Sequence, residues 1–327
     1  MNEILRIGIC GYGNVGRGVE CAVNSNKDTS LVAVFSRRNP SSISTVSNVP
    51  VISMENIVEW KDKIDVMILC GGSAKDLPVQ GPEVVSLFNT IDSFDTHADI
   101  PAYLEKMNSV AKENGNTSII SVGWDPGLFS TVRAYSQAAL PNGSTYTFWG
   151  KGVSQGHSDA IRQISGVKNA IQYTIPIESA INTIRNGQTP ELSTREKHLR
   201  ECFVVIEGGE DKERIENEIK TMPKYFSDYD TTVHFISEEE LKANHSKMPH
   251  GGFVIRSGKT SNNSNQVIEY KLNLESNPEF TASVLVSYAR ACYRLNKMGQ
   301  TGGLTVLDIP PYLLCEESRD TLIKNIL

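Results

Sequence analysis

The first twenty residues constrain this chain more than any other stretch. Leu5-Arg6-Ile7-Gly8-Ile9-Cys10 is a short apolar run of strand type, and Gly11-Tyr12-Gly13-Asn14-Val15-Gly16 follows it as G-x-G-x-x-G. The next residues, Arg17-Gly18-Val19-Glu20-Cys21-Ala22-Val23, continue as a helix. A strand, a glycine turn and a helix in that order make a dinucleotide-binding unit. Gly11 permits the tight turn, Gly13 lets backbone approach a pyrophosphate, and Gly16 lets helix and strand pack closely. The helix N-terminus then offers unpaired N–H groups to phosphate oxygens.

A chain of 327 residues exceeds most single small cores and predicts two domains. With 39% hydrophobic and 21% charged residues it has the composition of an ordinary globular protein. A net charge of -6 argues against a general nucleic-acid surface. No apolar run approaches the ~20 residues of a membrane span, and no secretory leader pattern opens the chain. The protein is therefore expected in the cytoplasm, with neither membrane nor nucleic acid as partner. Six cysteines, at 10, 21, 70, 202, 292 and 315, show no CxxC spacing, so neither a metal site nor a disulfide framework is expected.

Ser30-Leu31-Val32-Ala33-Val34-Phe35 reads as the second strand and ends in Ser36-Arg37-Arg38. An Asp or Glu at this strand end would hydrogen-bond the adenosine ribose of NAD and repel a 2′-phosphate. A serine and two arginines suit forked binding of that phosphate, so the expected cofactor is NADP. Further strands are expected at 64–70, 89–94 and 117–122, with helices at 82–88 and 100–114. This alternation predicts an α/β, doubly wound parallel sheet of the Rossmann type. Ligands in such sheets bind beyond the carboxyl ends of the strands. Those ends carry Cys70-Gly71-Gly72-Ser73, Ser93-Phe94-Asp95 and Val122-Gly123-Trp124-Asp125-Pro126, which join the glycine turn and Ser36-Arg37-Arg38 as expected cofactor contacts.

The pattern then changes. Strands near 146–149, 167–174, 202–206, 231–236 and 267–274, with helices between them, predict a second α+β domain for the substrate. Residues 257–266 are polar and loop-like, a surface hairpin or excursion. A long amphipathic helix is expected from 278 to about 298, with Phe280, Val284, Tyr288, Cys292 and Leu295 near one face. The expected division is residues 1–122 for the cofactor, 123–297 for the substrate and for dimerisation, and a tail, 298–327, that packs back on the first domain.

Several polar segments together carry a more specific signal. Ser93-Phe94-Asp95-Thr96-His97, Ser121-Val122-Gly123-Trp124-Asp125-Pro126-Gly127, Thr147-Phe148-Trp149-Gly150, Ser154-Gln155-Gly156-His157-Ser158-Asp159 and Met248-Pro249-His250-Gly251-Gly252 resemble the meso-diaminopimelate D-dehydrogenase family. The resemblance runs nearly end to end. It implies NADP-dependent, reversible oxidative deamination at the D-centre of meso-2,6-diaminopimelate, giving L-2-amino-6-oxopimelate and ammonia, in a cytoplasmic homodimer serving lysine and cell-wall precursor synthesis. Composition and periodicity do not supply that substrate.

The resemblance also implies residue roles. Asp95 and Asp125 match positions at the reacting amino-acid end, where a carboxylate can hold the ammonium and relay protons. A local reading competes: Asp95 as a helix cap, and Asp125-Pro126-Gly127 as a turn. Trp149, Gln155 and Asp159 match further substrate positions. His157 is the third acid–base candidate by virtue of its ordinary pKa, with a structural hydrogen bond as its competing reading. Arg200, Thr174, His250 and Asn277 match positions at the distal L-centre, where Arg200 would fork onto the carboxylate and His250 would face the ligand from a Pro-His-Gly-Gly loop. Asn277 also precedes the long helix and is placed to cap it. Two other functions share the cofactor features: a different NADP oxidoreductase of the lysine pathway, and a non-catalytic NADP sensor.

Overall fold

A largely apolar run buried at every position but one is an inner strand, and Leu5–Cys10 (β1), with only Arg6 exposed, is one. In the computed structural model, which describes residues 4–327, β1 lies in a seven-stranded sheet. Its companions are β2 (Thr29–Ser36), β3 (Val51–Ser53), β4 (Val66–Leu69), β5 (Asn89–Asp92), β6 (Thr117–Ile119) and a C-terminal strand, Gly302–Leu304. The order is C-terminal strand, β6, β5, β4, β1, β2, β3, and every pairing is parallel. The strand order reverses between β1 and β4, which opens a crevice at their carboxyl ends.

This sheet belongs to a unit formed by the residues up to Thr131 together with Pro278–Leu327; Val132–Asn277 forms a second unit. The division differs from the expected one at both boundaries. The long helix, Asn277–Lys297, falls almost entirely in the first unit because its apolar face packs there. Val284, Tyr288 and Cys292 are buried in one core with Ile7, Ile9 and Val34, and Phe280 and Leu295 pack against it. The opposite side holds a second core around Phe35, Met67, Leu69, Tyr103 and Met107. The tail is tied to the long helix by Arg290, which donates to the Leu314 carbonyl at 2.7 Å and pairs with Asp28. The second helix spans Leu77–Val85, not 82–88, and takes Pro82 into its interior.

In the second unit β7 (Gly143–Trp149), β8 (Gly152–Val153), β9 (Val167–Pro176), β10 (His198–Ile206), β11 (Asp230–Phe235), β12 (His250–Ser261) and β13 (Ser264–Leu274) form two sheets. One has the order β11, β10, β9, β8 and is antiparallel except between β10 and β11. The other, β13, β12, β7, is antiparallel throughout. Most of the polar stretch 257–266 lies in the two arms of the β12–β13 hairpin, one of the two forms expected of it. Among the described residues, no helix is long and apolar enough to cross a membrane, and no group of His, Cys, Asp and Glu could hold a metal ion.

Candidate functional site

The crevice between β1 and β4 carries the glycine turn. Gly11 has φ +95°, and its N–H donates to the Phe35 carbonyl at 2.8 Å. A Cβ on Gly16 would lie 2.2 Å from the Gly11 carbonyl oxygen, so only glycine lets the first helix, Asn14–Ser25, sit this close. A Cβ on Gly13 would meet nothing. That open side is the space a pyrophosphate needs. The N-cap Gly13 makes no side-chain cap bond and no acid occupies the first turn, a helix start that suits an anion.

A cavity of about 220 Å³ joins Gly11, Tyr12 and Gly13 to Ser36, Arg37 and Arg38 and to Cys70, Gly71 and Gly72. The buried Ser36 hydroxyl accepts the Arg38 N–H at 3.0 Å, and Arg38 reaches back to the Tyr12 carbonyl at 2.7 Å. Arg37 pairs with Asp76 at 2.7 Å. Asp76 also accepts the Gly72 N–H, and this bond, followed by Arg37, holds its carboxyl below the usual range. These residues fit an NADP adenosine end: two guanidinium groups edge the cavity. Asp76, Gln80 and Met54 line it too and were not expected, since none sits in a recognisable motif. The side chain of Tyr12 turns inward to Glu20, so this residue offers the cradle its backbone.

Ser73, Ser93, Phe94, Asp95 and residues 122–126 lie outside that cavity, at neighbouring strand ends. Asp95 is exposed, and its N–H donates to the Ser73 hydroxyl at 3.0 Å. It caps neither following helix: Thr96 and Asp99 hold those positions. Phe94, Val122 and Trp124 are buried; Phe94 stacks on Tyr103 at 4.2 Å and Trp124 meets Phe129 edge-on. Their side chains are core, which leaves backbone as their means of touching a cofactor. Asp125 sits half-buried in a tight turn between Gly123 and Gly127. A Cβ on Gly127 would lie 1.8 Å from the Gly123 oxygen. Cys70 is a thiol whose pKa burial drives well up, so it stays protonated and inert.

In the second unit, register explains most of the polar cluster. Thr174 on β9 and Arg200 on β10 are directly paired, both are buried, and Arg200 donates to the Thr174 hydroxyl. The guanidinium lies over the Tyr229 ring at 3.8 Å, and its Nε has no hydrogen-bond partner among the described residues. Trp149, at the end of β7 and 36% exposed, stacks on His198, and the Trp149 backbone N–H donates to His198 Nε2 at 2.8 Å. Burial, then Arg200, lowers the His198 pKa to about 3, so the ring is a neutral acceptor. Gln155 donates to the Met248 sulfur, and the Asn277 N–H donates to the Met248 carbonyl. His250 was expected in a loop but begins β12. Its Nδ1 accepts the Gly251 N–H at 2.8 Å, and a Cβ on Gly152 would strike its ring.

Two expected residues are engaged differently. Asp159 is exposed and pairs with Arg162 on the same helix. His157 lies edge-on to Tyr225 and Phe226, its Nδ1 is 2.7 Å from the Ser154 hydroxyl, and the ring also bonds the Tyr225 backbone. Burial, then Arg200, lowers its pKa to about 4. These contacts are those of the structural hydrogen bond that competes with its acid–base reading. His198, which sets Trp149, was missed because strand β10 was expected to begin at Cys202; Tyr229, which faces Arg200, lies just before β11 and outside every expected element. The alternation His198, Arg200, Cys202 was the available signal.

A doubly wound sheet, a glycine cradle and an arginine-edged cavity define a dinucleotide-binding protein of the Rossmann type. A family model described as the diaminopimelic acid dehydrogenase C-terminal domain matches residues 123–276. The meso-diaminopimelate D-dehydrogenase of Ureibacillus thermosphaericus is 64% identical over 323 residues, 99% of each chain. A solved Clostridium tetani meso-diaminopimelate dehydrogenase variant with six substitutions, in complex with DAP, superposes with a TM-score of 0.94 at 54% identity; the match covers 99% of this chain and 100% of that one. An engineered D-amino acid dehydrogenase bound to NADP+ gives 0.88 at 42% identity, again over 99% and 100%. This chain belongs to the meso-diaminopimelate D-dehydrogenase family.

Proposed function

We propose that this protein catalyses the reversible, NADP-dependent oxidative deamination of meso-2,6-diaminopimelate at its D-centre. The full-length identity to a meso-diaminopimelate D-dehydrogenase carries this reading. In the forward direction the Cα–H and amine of the D-centre become an imine, water replaces the nitrogen, and L-2-amino-6-oxopimelate and ammonia leave. Bound NADP supplies the two-electron acceptance. The glycine cradle orients the cofactor, and Ser36, Arg37 and Arg38 hold its 2′-phosphate.

Asp95 and Asp125 hold the reacting ammonium and accept its proton. Trp149 gives the substrate a flat apolar contact, set in place by His198. Gln155 and Asp159 add polar contacts. Arg200 pairs with the distal carboxylate, steered by Thr174 and Tyr229, while His250 and Asn277 complete that end. Because the reaction needs two amino-carboxylate ends held at a fixed distance, most of the catalytic effect is positioning. The protein acts as a cytoplasmic homodimer in lysine and cell-wall precursor metabolism. No observation favours a different oxidoreductase or a non-catalytic sensor.

The test is NADPH formation with the meso, LL and DD isomers of diaminopimelate. Turnover of meso with no turnover of LL is expected. Bound NADP without turnover of the meso isomer would refute the proposal.

A further inference from the structure

Asp92, the last residue of β5, is completely buried. Its Oδ1 accepts two backbone N–H groups, from Phe94 at 3.0 Å and from Ser121 at 3.1 Å. Its Oδ2 accepts the Tyr103 hydroxyl at 2.9 Å. Its own carbonyl accepts the Val122 N–H at 2.8 Å. One residue therefore ties the loop leaving β5 to the loop leaving β6. The first loop carries Asp95, next to Phe94; the second carries Asp125, four residues after Ser121.

An ordinary turn does not require this arrangement. The bond from Phe94 is a local Asx-turn, which any Asp or Asn at a strand end can make. The bonds from Ser121 and Tyr103 come from distant parts of the chain and add nothing to that turn. Three donors converge on a group that, when ionised, only accepts. Ser121 is held at φ +58°, a backbone region that L-residues with side chains rarely adopt. Tyr103 in turn stacks on Phe94 and crowds Gly81, where a Cβ would lie 2.3 Å from the hydroxyl oxygen. A buried carboxylate is costly unless it is fully bonded, and burial pushes this one up to about 6 against the pull of its three donors.

We propose that Asp92 is a positioning residue for the reaction: through Phe94 and Ser121 it fixes the spacing of Asp95 and Asp125. The proposal rests on the assignment of those two carboxylates to the reacting end of the substrate. Asp92 touches neither substrate nor cofactor in this account. It determines where the two loops stand, and small displacements of positioned groups cost on the order of a hundredfold in rate.

The experiment compares Asp92→Ala, Asp92→Asn and Tyr103→Phe in the full chain, each alone and combined with Asp95→Asn or with Asp125→Asn. The readouts are kcat and KM for meso-diaminopimelate, NADP affinity and the thermal midpoint. Asp92→Ala is expected to lower kcat/KM on the order of a hundredfold. Asp92→Asn, which keeps the Oδ1 acceptor, should recover most of that loss. Tyr103→Phe keeps the ring stack and should cost less than Asp92→Ala; it also serves, with Asp92→Asn, where the alanine variant does not fold. In either carboxylate-variant background the Asp92 and Tyr103 substitutions should cost far less than in the native chain, because residues that act through one another are not additive. Fully additive losses, or an asparagine variant as impaired as the alanine one, would overturn the positioning role. Native activity in both Asp95→Asn and Asp125→Asn would instead overturn the carboxylate assignment and the proposal with it, whatever the Asp92 variants do.

Discussion

Replacing Arg37 and Arg38 together by alanine should separate NADP from NAD more cleanly than any other change. Each arginine would contribute a charge-assisted bond to the 2′-phosphate, typically about 1.5–3 kcal/mol. Arg37 must first leave Asp76, but that ion pair is exposed, with the arginine side chain 64% accessible, so its loss costs at most about 1 kcal/mol. The net is about 2–5 kcal/mol. Solvent screening of Arg37 favours the lower part of that range, which corresponds to a loss of NADP affinity on the order of a hundredfold. NAD lacks the phosphate and should lose little. Asp76→Asn is the companion change: it frees Arg37, keeps an acceptor for the Gly72 N–H, and should tighten NADP by up to about fivefold. Direct titration of both cofactors against the native chain and the variants provides the measurement. Equal losses for NADP and NAD would show that the arginines support the fold of the strand end and do not read the phosphate.

Two further outcomes follow from the second unit. Arg200→Met keeps side-chain length but removes the proposed partner of the distal carboxylate, so kcat/KM for meso-diaminopimelate should fall about a hundredfold, while D-alanine, which has no distal centre, loses much less; equal losses would place Arg200 elsewhere. His157 and His198 are neutral in the folded chain, with pKa values lowered from 6.5 to about 4 and about 3, so the unfolded chain binds protons that the folded one refuses. Stability is therefore complete above pH 6.5 and declines as pH falls toward 4, by about 2 kcal/mol per histidine at pH 5. Urea midpoints for the native chain and His198→Phe should converge as pH falls from 7 to 5; a constant difference would contradict the buried neutral histidine.

The cofactor unit was the more legible of the two because its signals are local. A glycine turn, a strand end and a run of apolar residues each lie within a few positions, and Gly11 to Gly16 and Ser36 to Arg38 stand where that pattern requires. The residues proposed for the substrate came from resemblance, since Thr174 and Arg200 meet only through the register of β9 and β10. What escaped the sequence has a common cause. Asp76, Asp92 and Tyr229 act on neighbours brought together by folding and belong to no periodic or spaced motif, while His198 belongs only to the short alternation His198, Arg200, Cys202. The glycines misled in one place: His250-Gly251-Gly252 has loop composition, yet β12 begins there. A Cβ on Gly251 would lie 2.1 Å from the Leu272 carbonyl oxygen, so the glycine admits a close neighbouring strand. The long helix was assigned to the wrong neighbour for a similar reason, because a stripe of apolar residues does not say which sheet it covers.

meso-Diaminopimelate offers two chemically similar centres, and oxidation is expected at only one of them. NADP+ is supplied with meso-diaminopimelate deuterated at Cα of the D-centre alone, or of the L-centre alone, and the reduced cofactor is weighed by mass spectrometry. Deuterium should appear in NADPH only from the D-centre substrate, and that substrate should also leave an unlabelled product. Transfer from the L-centre, or from both centres alike, would contradict the account.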